Sequence, residues 1–163
     1  MSGVVTALPN AGGVLAFDFG EKRIGVATGD LAVKLATPLT TIQAESNDDR
    51  FQQIGRLIDE WQPILLIVGL PSYMDGTEHD MTRLCRKFSN RLHGRFALPV
   101  RLVDERLSSA VADTMLAELG LSSRKRKPAL DQVAALQILQ AFFDHPEASI
   151  AHDAVQALPK QTG

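Results

Sequence analysis

Two periodicities of apolar residues alternate along the chain. Val14 to Gly20 is a continuous apolar run interrupted by one charge, Asp18, and reads as a strand covered on both faces. The turn Gly20-Glu21-Lys22-Arg23 leads into a second strand, Ile24 to Thr28, so the two form a hairpin. Lys34 to Thr41 predicts a third strand, which Pro38 restricts to a sheet edge or a break because proline lacks the ladder donor. The period then lengthens. Ser46 is placed to cap a helix with Asp48 and Asp49 in its first turn, an apolar stripe at Phe51, Ile54, Leu57, Ile58 and Trp61, and Pro63 as its stop. Ile64 to Val68 is uniformly apolar and predicts a central strand that opens at Gly69-Leu70-Pro71 into a loop.

A second helix is expected from about Thr77 to Leu92 on the stripe Met81, Leu84, Cys85, Phe88 and Leu92, followed by a strand from Pro99 to Val103. Ser108 or Ser109 caps a third helix ending at Gly120, the run Arg124-Lys125-Arg126-Lys127 reads as a loop, and Pro128 opens a last helix, Ala129 to Phe143. Residues 1–13 read as a disordered arm and 144–163, interrupted by Pro146 and Pro159, as a poorly ordered tail. Between them, residues 14–143 form one α/β domain. Its expected sheet is mixed and five-stranded, an antiparallel meander and then two parallel strands, with helices on both faces.

Composition changes this picture little. The chain of 163 residues is 45% hydrophobic and 22% charged, which suits a single soluble domain, and no apolar run approaches membrane-spanning length. Cys85 is the one cysteine, so no intramolecular disulfide forms; with no secretory pattern at the start, the cytoplasm is the expected location. The net charge of −2 is less informative than its clustering: Arg83, Arg86, Lys87, Arg91, His93 and Arg95 follow one helix, and residues 124–127 are an unbroken basic run.

Candidate chemistry begins at Asp18. Desolvating a carboxylate without a partner is costly or forces its protonation, and a hard divalent cation is one partner that offsets the cost. Other acids have simpler readings on their own. Asp131 falls in the first turn of the last expected helix, where the dipole favours an acid, and Glu105 could pair with Arg106 or Arg101. The four histidines show no ligand spacing, and Trp61 and the seven phenylalanines read as core.

Taken in order, Phe17-Asp18-Phe19-Gly20, Lys22-Arg23-Ile24-Gly25-Val26-Ala27, Ile67-Val68-Gly69-Leu70-Pro71, Met74-Asp75-Gly76-Thr77-Glu78, Asp104-Glu105-Arg106-Leu107-Ser108 and Asp131-Gln132-Val133-Ala134-Ala135 resemble the YqgF/RuvX family of ribonuclease H-like proteins. That family is described as Holliday junction resolvases and as nucleases that mature the 5′ end of 16S ribosomal RNA. The resemblance implies a ribonuclease H-like fold and a metal-dependent nuclease. Asp18, Glu105 and Asp131 would be its catalytic and metal-binding acids, with Mg²⁺ (or Mn²⁺) as cofactor. Two such cations about 4 Å apart activate a water and stabilise the leaving oxygen of a phosphodiester. The implied partner is structured RNA, pre-16S rRNA ahead of a DNA junction, with ribosomal particles in addition, no membrane, and a monomeric or homodimeric protein. Lys22, Arg23, Arg106, Arg124, Lys125, Arg126 and Lys127 would hold phosphates by charge.

One departure stands out: Gly69 occupies the place where resolvases of the wider superfamily carry an acid. A second carboxylate must then come from Glu105, Asp104, Asp75 or Glu78, or be absent. Strand alternation puts Val100, Leu102 and Asp104 on one face and Arg101, Val103 and Glu105 on the other. Glu105 is preferred for its reach and for the resemblance. Two other readings stay open, a four-way DNA junction resolvase and a non-catalytic RNA-binding ribosome assembly factor.

Overall fold

The computed structural model describes residues 11–71, 80–105 and 123–152, the side chains of 123–130 excepted. The expected hairpin is present: β1 (Gly13–Phe19) pairs antiparallel with β2 (Arg23–Asp30), placing Asp18 opposite Gly25. β3 (Ala36–Gln43) starts two residues later than the pattern suggested and is an edge strand. Pro38 is accommodated there by a shift of register: Val26 pairs with Thr40 and Ala27 with Pro38, leaving Leu39 as the extra residue. β4 (Leu65–Leu70) and β5 (Val100–Asp104) add parallel to β1 and to each other.

The sheet order is β3-β2-β1-β4-β5-β6. β6 (Ile150–Ala151) is an addition to the five strands expected, and it follows a 3-10 turn at Pro146–Ala148 inside the segment read as a poorly ordered tail. A strand of two residues is too short to show a period. What secures it is Arg101, whose guanidinium donates to Ser149 Oγ at 2.6 Å and to the Ser149 carbonyl at 2.9 Å.

Strand alternation sorts the core into two halves. Leu15, Phe17, Leu66, Val68, Val100 and Leu102 face α1 (Asn47–Trp61) and α2 (Asp80–Phe96), packing on Phe51, Ile54, Cys85 and Phe88. Val14, Ala16, Ala27, Ile67 and Val103 face α3 (Ser123–Asp144), packing on Ala135, Ile138, Leu139 and Phe142. Ser46 caps α1 as expected, its Oγ accepting from the Asp49 N–H at 3.2 Å, and Gln62 closes the helix in the left-handed conformation. Cys85 is a core residue, its thiol pushed up to about 12 chiefly by burial.

Three expectations are corrected. Trp61 is 41% exposed, because the last turn of α1 reaches Gly13, where β1 begins and the sheet ends. Residues 124–127 are helical and not a loop, since α3 starts at Ser123, ahead of Pro128. For the same reason Asp131 lies beyond the first turn of α3, which holds no acid, so the helix dipole does not account for it. The expected helix from Ser108 or Ser109 to Gly120 and the proposed start at Thr77 lie outside the described residues. Among the described residues no helix is long and apolar enough to cross a membrane.

Candidate active site

Asp18 inherits its direction from β1. Val14 and Ala16 belong to the α3 half of the core, so Asp18, two residues on, leaves the sheet on that side at the carboxyl end of the strand. Val103 faces the same way, and Glu105 follows it on the parity that strand alternation assigns; Asp104 falls on the opposite one. Side-chain hydrogen bonding joins the Asp18 and Glu105 carboxyl groups.

Two glycines make this meeting possible. Phe17 pairs with Val68, so Gly69 continues β4 beside Asp18. A Cβ built on Gly69 would lie 2.7 Å from Glu105 Oε2, 3.0 Å from its Cγ and 2.4 Å from Ile138 Cδ1. The absent acid on β4 is therefore the space into which β5 delivers its own acid. On the other side of Asp18, a Cβ on Gly25 would lie 1.9 Å from the carbonyl oxygen of Asp131. Only a glycine lets the α3 backbone approach β2 this closely, and that approach brings Asp131 to the site. Neither role shows in the sequence as a motif; the signal available was parity, since Gly25 and Gly69 are the neighbours of Asp18 on its two flanking strands.

The electrostatics follow from crowding. Burial first, then repulsion from Glu105, the hydrogen bond with Glu105 and repulsion from Asp131 push the Asp18 carboxyl up to about 8. Glu105 is also raised, by burial and by Asp104, while the hydrogen bond from Asp18 acts to hold it down. Both carboxyl groups are pushed toward their protonated forms, and the two titrate as a coupled pair. A proton neutralises one of two adjacent buried charges, and a divalent cation with oxygen ligands would do the same.

Asp131 is engaged differently. Its Oδ2 accepts from Arg23 Nε at 2.7 Å, both side chains being partly exposed. Consistent with that, no three His, Cys, Asp or Glu side chains among the described residues converge closely enough to hold a metal ion. Arg23 and Lys22 line an open groove of about 990 Å³ with Glu21, Gln43, Ser46 and Asp49. Asp18, Glu105, Asp131 and Arg23 are thus gathered at one edge of the sheet. Glu105 does not pair with Arg101, which is committed to Ser149. Asp75, Glu78, Arg106 and the side chains of Arg124, Lys125, Arg126 and Lys127 lie outside the described residues.

The family model described as RuvX, Holliday junction resolvase, matches residues 12–145. The chain belongs to the RuvX family. A relative from Methylobacillus flagellatus is 62% identical over 138 residues, covering 85% of this chain and 94% of its own length. Another from Dechloromonas aromatica is 60% identical over 135 residues, covering 83% and 92%, and one from Nitrosomonas europaea 51% over 140, covering 86% and 95%. All three are named as candidate pre-16S rRNA nucleases. RuvC of T. thermophilus in complex with a Holliday junction substrate superposes with a TM-score of 0.50 at 16% identity, covering 85% of this chain and 98% of that one, which shows a shared fold. As a RuvX-family protein the chain is a nuclease, a phosphodiester hydrolase whose substrate is nucleic acid.

Proposed function

We propose that this chain is a divalent-metal-dependent endonuclease that processes the 5′ end of pre-16S rRNA in the cytoplasm. The observation that carries the metal site is the Asp18–Glu105 carboxyl pair, hydrogen-bonded and buried at the carboxyl end of β1 in the space above Gly69. The names of the relatives carry the choice of RNA.

Asp18 and Glu105 would hold Mg²⁺ or Mn²⁺, with Asp131 as the third acid. Bound there, the metal supplies water activation and stabilises the leaving oxygen. To serve as ligands, Asp18 and Glu105 would have to be ionised, so metal binding would be expected to release a proton. Arg23 holds Asp131 at 2.7 Å and would be within reach of a substrate phosphate were Asp131 to act as a ligand. Lys22 lies on the same turn and adds charge at the groove, as Arg106, Arg124, Lys125, Arg126 and Lys127 are expected to do from their own segments.

The test is cleavage of a 5′-extended 16S precursor by the purified protein with Mg²⁺ or Mn²⁺. Asp18→Asn is expected to abolish it, and cleavage by Asp18→Asn at the wild-type rate would refute the assignment. The family description and the RuvC-like fold favour a second reading, resolution of four-way DNA junctions. Symmetric junction cleavage by a dimer, with no action on the RNA precursor, would select it. Tight RNA binding without metal-dependent cleavage would select a non-catalytic assembly factor.

A further inference from the structure

On the face of the sheet opposite the carboxylates, α1 and α2 part near the carboxyl end of β1 and leave a cavity of about 260 Å³. Its floor is aromatic: Phe19 and Phe51 each pack on Phe88, with ring centroids 4.7 and 5.8 Å apart. Its rim carries Arg50, Lys87 and Arg91 against one carboxylate, Glu21. Arg50 is held in place. Its guanidinium lies over the Phe19 ring at 5.3 Å, donates to Asn47 Oδ1 at 2.9 Å and donates to the Glu21 carbonyl. A guanidinium plane fixed in this way is a surface on which a nucleobase stacks.

The charge at the rim is not that of an ordinary solvated helix. Arg83, Lys87 and Arg91 follow one another at spacings of four along α2, where like charges destabilise a helix. Arg83 is paired with Asp80, whereas Lys87 and Arg91 are exposed and form no ion pair among the described residues. The cavity is small by the standard of ligand pockets and suits one planar base with its sugar. It also adjoins, through Glu21, the groove that holds Lys22 and Arg23. Phe19 follows Asp18 in β1, so the two side chains leave opposite faces of one strand end.

We propose that this cavity binds one unpaired nucleotide of the substrate strand, its base on the outer face of the Arg50 guanidinium and its phosphate toward Lys87 and Arg91. The inference rests on the nuclease reading in that the same strand continues over the turn at residues 20–22 to Asp18. Its test does not require cleavage. Binding of AMP and of single-stranded oligoadenylate is measured in EDTA on the full chain, by NMR shifts of the Leu84 methyls and the Phe19, Phe51 and Phe88 rings.

AMP is expected to shift these signals while ribose 5-phosphate does not. Lys87→Glu/Arg91→Glu, and separately Arg50→Lys, which keeps the charge, should each weaken AMP and oligoadenylate binding about tenfold or more. Lys34→Glu/Arg56→Glu, an equal change of charge elsewhere, should weaken them less than about twofold. The proposal is overturned if AMP leaves the signals unmoved, if ribose 5-phosphate moves them equally, or if the remote pair weakens binding as much as the rim pair. Because metal and cleavage are absent, failure here leaves the assignment of Asp18 untouched, and failure of precursor cleavage leaves this result standing.

Discussion

At the scale of single residues, the site is organised by what glycine omits. Gly69→Ala would drive a methyl group into Glu105 and Ile138, with contacts of 2.7 Å and 2.4 Å from the new Cβ. Overpacking of this kind costs about 1–3 kcal/mol, and the flexible partner, Glu105, is the one to move. The expected outcome is a modest drop in thermal stability with a larger loss of metal affinity, checked by calorimetric titration of Mn²⁺. A variant that binds Mn²⁺ as the parent does would show that Glu105 is not a ligand. Asp18 gives a second test. Its folded pKa of about 8 lies above the unfolded 3.8, so the proton it binds favours the folded state. That contribution is complete below pH 4 and is lost as pH rises toward 8. Metal-free protein should therefore melt at a lower temperature at pH 8 than at pH 5, by more than Asp18→Asn does. At pH 8 Asp18→Asn should be the more stable of the two by about 1–3 kcal/mol, since each pKa unit is worth about 1.4 kcal/mol and the coupled pair divides the shift. A parallel pH dependence in the two proteins would contradict the buried carboxyl pair.

At the scale of elements, the same logic governs how α3 meets the sheet. α3 packs across β2, β3 and β1, and at Gly25 its backbone is too close for any side chain. Gly25→Ala places a Cβ 1.9 Å from a main-chain oxygen, which no rotamer relieves, so α3 must shift bodily and carry Asp131 with it. The expected result is a loss of stability of at least about 3 kcal/mol in denaturant unfolding. A loss below about 1 kcal/mol would mean that the helix is not held as described. This contact also marks the limit of what the sequence revealed. Strong periods announced β1, β2, β4, α1 and α2, and Ser46 announced its cap, because each depends on neighbours within a few residues. The start of α3 did not show, because a basic run followed by proline carries loop chemistry locally while residues 123–130 are helical. The pairing of Arg23 with Asp131, across a separation of 108 residues, could not be read from either segment.

At the scale of the whole molecule, parallel pairing of β1, β4 and β5 sets their carboxyl ends along one edge, and this is what turns scattered acids into a site. Parity along β5 was legible and set Glu105 and Asp104 on opposite faces, while reach and the family resemblance chose Glu105; that Gly69 makes room for it became visible only when β4 and β5 lay side by side. The amino ends of the same strands are the structural counterpart, and the last strand serves β5. β6 pairs Ile150 with Leu102 and Ala151 with Arg101, and Arg101 closes the arrangement through Ser149. Burial disfavours the charge on Arg101, and those two acceptors offset that cost. Ending the chain after Asp144 would remove the acceptors and expose the β5 edge. A partly buried cation left without its hydrogen bonds costs about 1–3 kcal/mol, which should appear as a lowered unfolding midpoint in urea. Arg101→Met in the shortened chain removes the stranded charge and should recover part of that loss. If the shortened chain unfolds at the parent midpoint, β6 contributes nothing to β5; if Arg101→Met recovers nothing, the loss comes from the edge pairing and not from the guanidinium. Because β5 carries Glu105 at its end, the shortened chain should also bind Mn²⁺ more weakly, and Arg101→Met should restore that affinity together with the midpoint.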